Sequence, residues 1–155
     1  MKSLLFALIT ILMSCANAPS QKDSSVQKKA ELLVSESQGG ADQPGFRVLK
    51  DEKDFHNTIK TGFGWVDLGK EPATDYPKFP KNKKVVVYNL GSFRSGSHRI
   101  TEIRDVSVKN KILYVEVPAG EPSGGMGIQV MSNPWIIFAV PADYQFTSVE
   151  LKYSK

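Results

Sequence analysis

Apolar residues fall along this chain in short bursts separated by turn residues, and the spacing within the bursts changes along its length. Leu4 to Met13 is an almost unbroken apolar run. It is too short to cross a bilayer as a helix, which takes ~20 residues. Residues 16–29 (ANAPSQKDSSVQKK) are small, polar and charged. They cannot bury enough apolar surface to fold alone and read as a flexible tether. Ala30 to Glu36 sets Leu32, Leu33 and Val34 side by side, which fits either an edge strand or one face of a short helix. Gln38 to Gly45 (QGGADQPG) is turn chemistry.

Phe46 to Lys50 reads as a strand. Asp51 then has the side chain of a helix N-cap, and the helix is expected to run to about Thr61 with Asp54 in its first turn. Phe55 and Ile59, four apart, share its buried face, and Gly62 and Gly64 end it. Trp65 to Leu68 is a short apolar piece that fits a strand. Glu71 to Asn82 carries Pro72, Pro77 and Pro80 and must be a loop. From Lys84 onward the pattern is strand after strand. Val85 to Leu90 is apolar on both faces, hence central. Arg99 to Val108 is expected as one long strand whose alternation slips between Ile100 and Ile103, the mark of a bulge. Lys109-Asn110 reads as a two-residue turn returning into Ile112 to Val117. Pro118 to Gly127 is a Gly/Pro-rich loop, Ile128 to Met131 a strand, Ser132-Asn133-Pro134 a turn and Trp135 to Val140 a core strand. Thr147 to Tyr153 alternates, with Val149, Leu151 and Tyr153 expected inward.

Strands at about 8–12-residue spacing define a mainly β (α+β) fold. The expected architecture is an antiparallel β-sandwich or strongly twisted sheet of about seven strands, with one packed helix.

Charge narrows the partners. The chain has 20 Lys+Arg against 16 Asp+Glu, a net charge of +4 over 155 residues. The densest basic cluster is Lys81, Lys83 and Lys84. So small and dispersed an excess makes a weak field and does not point to nucleic acid. The one cysteine, Cys15, excludes an internal disulfide, so the domain holds together by packing alone.

The position of Cys15 carries more than its number. Leu12-Met13-Ser14-Cys15 follows a basic start and a short apolar run, and it resembles the lipobox of bacterial lipoproteins. That resemblance implies removal of residues 1–14 as a signal peptide and acylation of the Cys15 thiol with fatty chains such as palmitate. Loss of Lys2 would bring the net charge from +4 to +3. Ala16 rather than Asp follows the cysteine, which by analogy with lipoprotein sorting favours the outer membrane of the cell envelope. The expected organisation is a signal peptide at 1–14, an acylated N-terminus and tether at 15–44, and a β-rich domain at 45–155.

Candidate chemistry is sparse. His56 and His98 have neither the spacing nor the partners of a zinc site, which takes three or four ligands. No Gly-x-Ser-x-Gly elbow occurs. Ser97 and His98 are adjacent, and neighbours on a strand face opposite ways, a poor arrangement for nucleophile and base. Gly124-Gly125-Met126-Gly127 lacks the Lys-Ser/Thr ending of a phosphate loop and precedes a strand. Glu116 and Glu121 are separated by a Pro-Gly corner that does not fix them as an acid/base pair. No cofactor, metal or catalytic residue is expected. What remains is loops. Phe93 and Arg94 sit among Ser95, Gly96 and His98 on an adaptable loop of the kind protein interfaces favour, although the same residues fit a turn with Phe93 tucked onto the core. Gly124, Gly125 and Met126 form a second candidate binding loop. Trp135, after Pro134, is a third candidate position, although the head of a strand more often holds a core residue than a contact residue.

These segments together resemble the C-terminal domain of the protease complex subunit PrcB family. The resemblance rests on Val85-Val86-Val87-Tyr88-Asn89-Leu90-Gly91, then Ser95-Gly96-Ser97-His98, Glu121-Pro122-Ser123-Gly124-Gly125-Met126, Ser132-Asn133-Pro134-Trp135 and the close at Val140-Pro141. Phe46 to Ile59, strand then helix, fits the region preceding that domain. Ser97 and His98 stand where the family has Gly and Tyr. The resemblance implies a non-catalytic lipoprotein that accompanies or stabilises a surface protease, bound to the membrane through Cys15 and to an envelope protein through its loops. A protease inhibitor that wedges clustered loops into its target is the alternative reading, and an enzyme the third.

Overall fold

Trp135 to Val140 is apolar at every position, and the fold gives each face of that strand a separate core. In the computed structural model, residues 30–62, 77–94, 98–119 and 131–155 are described. The elements in chain order are β1 (Glu31–Glu36), β2 (Gly45–Leu49), α1 (Glu52–Gly62), β3 (Lys83–Asn89), β4 (Asp105–Lys109), β5 (Ile112–Pro118), β6 (Trp135–Pro141) and β7 (Ser148–Ser154). A four-stranded antiparallel sheet has the order β1-β6-β3-β2, and a three-stranded sheet the order β4-β5-β7. Val86, Ile136, Phe138 and Val140 face the small sheet and meet Val106, Leu113, Val115 and Val117. Val85, Val87, Trp135, Ile137 and Ala139 turn the other way, toward α1. The molecule is therefore helix on sheet on sheet. The two central strands lose their hydrophobic alternation because both of their faces are covered.

Helix α1 forms where its caps and stripe direct it. Asp51 Oδ1 accepts the backbone N–H of Asp54 at 2.8 Å, closing the first turn, and Glu52 and Asp54 complement the helix dipole there. Phe55 and Ile59 are fully buried, and Phe79 meets Phe55 edge-on at 5.9 Å between ring centres. Arg47 of β2 reaches across to the helix. Its Nη1 donates to both oxygens of Asp54, at 2.7 and 2.8 Å, and its Nη2 to Thr58 Oγ1 at 2.8 Å. The guanidinium holds the Asp54 carboxyl below its ordinary value of 3.8, against the pull of burial.

Several expectations are corrected. Of the readings open for Ala30 to Glu36, the edge strand holds and the tether and helix do not: β1 pairs with β6 at the edge of the large sheet. A bulge at Leu33 shifts the register, so that Leu32 opposes Phe138 and Val34 opposes Ile137. Leu32 thus packs toward one core, while Leu33 and Val34 both pack toward the other. Arg99 to Arg104 is not strand, and β4 starts only at Asp105. Ile100 and Ile103 are both buried although three apart, which an extended strand cannot do with a single face. The hairpin turn is Asn110-Lys111, one residue later than expected, with φ of 53° and 61°. The small sheet is not wholly antiparallel, because β7 lies parallel to β5. Chain passing through β6 in the other sheet brings β7 back in that direction. Tyr153 is 57 % exposed rather than inward. Trp65 to Leu68, Gly64, Glu121 and residues 128–130 lie outside the described residues.

Candidate functional site

At one end of the large sheet β1 and β3 finish and β2 and β6 begin. The segments at these ends, 37–44 between β1 and β2, 90–94 after β3 and 131–134 before β6, are brought together by the register of four strands. Backbone bonds tie them into a single rim. Gly40 N–H donates to Asn133 O at 2.8 Å, Leu90 N–H to Pro134 O at 2.9 Å and Ser92 N–H to Asp42 O at 3.1 Å. Phe93 and Ser132 exchange N–H···O bonds at 2.8 and 2.9 Å, an isolated antiparallel bridge. Side chains reinforce the rim. Asn133 Nδ2 donates to Asp42 Oδ1 at 2.9 Å and to Ser92 Oγ at 2.7 Å, and Asn89 Oδ1 accepts from Ala41 N–H at 3.0 Å. Gly91 adopts φ +90°, and a side chain there would meet Pro44 at 2.9 Å, so the close approach of the two loops requires glycine.

The predicted loop residues separate on this frame. Phe93 is half-buried and packs against the core between the sheets. Its ring stacks on His98, with centres 3.8 Å apart and planes 24° apart. Arg94 is exposed, and Met131 on the adjoining loop is 61 % exposed. Of its two readings, core and contact, Trp135 is core: it is 1 % exposed. Its indole N–H donates to Gln38 O at 2.8 Å, and Gln38 Nε2 in turn donates to Met131 O at 3.1 Å. It is buried because it heads a strand covered on both faces, with β1 on one flank and β3 on the other. Its role at the rim is to hold the 37–44 and 131–134 loops in register. Cys15, Ser95, Gly96, Ser97, Gly124, Gly125 and Met126 lie outside the described residues.

Sequence reasoning singled out Phe93 and Arg94 but not the residues that position them. Gln38, Asp42, Asn89 and Asn133 build the rim; the local signal for Gln38, Asp42 and Asn133 was turn chemistry at 38–45 and 132–134, and Asn89 sat in a segment read as strand. Two concavities flank the rim. A cleft of about 520 Å³ lies between the end of α1 and β2, with Arg47, Thr58, Thr61, Asn89 and Trp135 among its walls. A groove of about 290 Å³ lies between the two sheets, lined by Pro44, Tyr88, Leu90, Glu150, Leu151 and Tyr153. Burial raises the Tyr88 phenol above its ordinary value of 10.0, and the nearby Tyr153 and Glu150 oppose its ionisation further. Among the described residues no group of three His, Cys, Asp or Glu side chains is placed to hold a metal ion. The rim offers a guanidinium fork, a soft thioether and a stacked ring pair on a hydrogen-bonded base. These are groups that grip another polypeptide's side chains.

Compared with known proteins, the chain matches no family model, no curated protein and no solved structure.

Proposed function

We propose that this chain is a lipoprotein of the bacterial envelope, anchored through acylated Cys15 in the outer membrane. Its β-rich domain binds another envelope protein without catalysing a reaction, as an accessory or stabilising subunit of an envelope protease. The observation that carries this reading is the convergence of three loops into one rim that presents Arg94, Met131 and the Phe93–His98 pair. The resemblance of Val85 to Val140 to the PrcB family supports the protease as partner. His98 supplies a ring where that family has Tyr. A tether of residues 16–29 would reach on the order of 20 Å and keep the rim at high effective concentration toward co-anchored partners. Convergent loops also suit a protease inhibitor. The two roles part on whether the captured protease gains or loses activity when the chain is added.

The test is crosslinking in intact envelopes, comparing wild type with Arg94→Ala, Phe93→Ala/Arg94→Ala and Cys15→Ser. The wild type should capture a specific protein. The loop variants should weaken capture on the order of tenfold, the loss expected for an interface anchor. Cys15→Ser should release the chain from membranes. A chain that captures nothing specific, or captures equally well without Arg94, would overturn the binding reading. Continued membrane association of Cys15→Ser would overturn the anchor.

A further inference from the structure

Beside the rim, the open side of the sandwich carries two edge strands, β2 of the large sheet and β7 of the small one. Two of the exposed large apolar residues lie along it: Val48 on β2, 37 % exposed, and Tyr153 on β7, 57 % exposed. Between the edges runs the groove of Pro44, Tyr88, Leu90, Glu150, Leu151 and Tyr153.

The direction of the β7 backbone can be read from its bonds. Ser148 N–H donates to Lys111 O at 3.4 Å, and Ser154 O accepts Ala119 N–H at 2.8 Å. Residues 148, 150, 152 and 154 therefore turn their peptide groups toward β5. Alternation turns those of Val149, Leu151 and Tyr153 to the other edge, where among the described residues no strand pairs with β7. Such a row of donors and acceptors is a template for an added strand. Electrostatics select its side chains. Among the described residues Glu150 is the one charged residue lining the groove, together with Tyr88 and Tyr153. Lys152 shares the face of Glu150 by alternation, but its Nζ lies 3.8 Å from the centre of the Tyr114 ring on β5, so it leans away from the open edge.

We propose that β7 accepts an extended segment of the partner polypeptide as an added strand. In that segment apolar residues alternate with Lys or Arg, the apolar set packing beside Leu151 and Tyr153 in the groove and a basic residue on the opposite face meeting Glu150 at its lip. A polyproline segment would suit the tyrosines but would leave the row of β7 N–H groups unmet, which favours a strand. This inference rests on the reading of the domain as a protein binder, and it adds where and in what form the partner docks.

The probe is a random nonapeptide display library selected against the full chain in detergent, followed by amide hydrogen exchange with the best synthetic peptide. The expected consensus alternates apolar and basic residues without internal proline. The bound peptide should slow exchange at Val149, Leu151 and Tyr153 on the order of tenfold. Glu150→Lys should weaken that peptide by about tenfold and redirect selection to acidic sequences. The proposal is overturned by a library that yields no enriched sequence, by a proline-rich consensus with unprotected β7 amides, or by a Glu150→Lys chain that selects the same peptides. If peptides bind as expected while envelope crosslinking finds no partner, the β7 edge stands and the envelope reading falls. The reverse result, crosslinking without peptide selection, removes only the strand.

Discussion

Arg47 and Asp54 set the chemistry of the helix–sheet joint at the level of single residues. Their side chains are 54 % and 24 % exposed, so water screens the pair, and its contribution is about 1 kcal/mol or less. The pH dependence still has a definite sign. The folded carboxyl titrates below its ordinary 3.8, so its stabilisation is complete above that value and is lost as pH falls through the lowered one. Asp54→Asn should therefore flatten the fall of the urea midpoint in acid while lowering the midpoint slightly at neutral pH. If the variant keeps the wild-type acid slope, the loss must lie in other carboxylates. Some residue roles were legible in the sequence. Phe55 and Ile59 declared their burial through spacing alone, and Asp51 its cap. Trp135 did so only through its place at a strand head, and Tyr153 did not show its exposure. The burial of Trp135 depends on two flanking strands that are distant in sequence. Tyr153 has the inward phase of its strand but stands at an edge the large sheet does not cover.

The hairpin between β4 and β5 shows what an element's ends can hide. Its turn needs two successive residues at positive φ, and the second, Lys111, has a Cβ that disfavours it. Lys111→Gly should stabilise the domain by roughly 0.5–1 kcal/mol, read as a higher urea midpoint with an unchanged slope. The bonds that Thr147 and Ser148 make to this residue use its backbone carbonyl and should persist. A lower midpoint would show that the side chain, not the backbone, supports the turn. Existence and type were legible for α1, β3, β5 and β6, where period and length agree. The turn was misplaced by one residue because Asn110 and Lys111 give a weak signal where Asn-Gly gives a strong one. The 99–104 segment misled because two buried isoleucines three apart imitate a bulged strand. The parallel direction of β7 has no signature in its own sequence, since it follows from the path of β6 through the other sheet.

At the scale of the whole molecule, β1 is part of the described body. It covers the β6 edge, and without it Ile137, Phe138 and Ala139 would line an open, apolar strand, a template for aggregation. Removing residues 1–29 should leave the urea transition in place. Removing 1–36 should cost several kcal/mol, more than many domains of this size can lose, and should give insoluble or non-cooperatively unfolding protein. A soluble 37–155 chain with an unchanged midpoint would place β1 outside the stable body. The sandwich and its helix were legible in the spacing of the apolar bursts. The rim was not, because it is assembled from loops up to 93 residues apart, the span between Gln38 and Met131. The course of β1 has a mechanical consequence. It runs from Ala30 at one end of the sheet straight to the rim at the other, antiparallel to β6. A load between an anchor ahead of Ala30 and a partner held at the rim would pull β1 along its own axis. The bonds to β6 lie across that axis and would share the load together, in shear, instead of parting one by one like a zip.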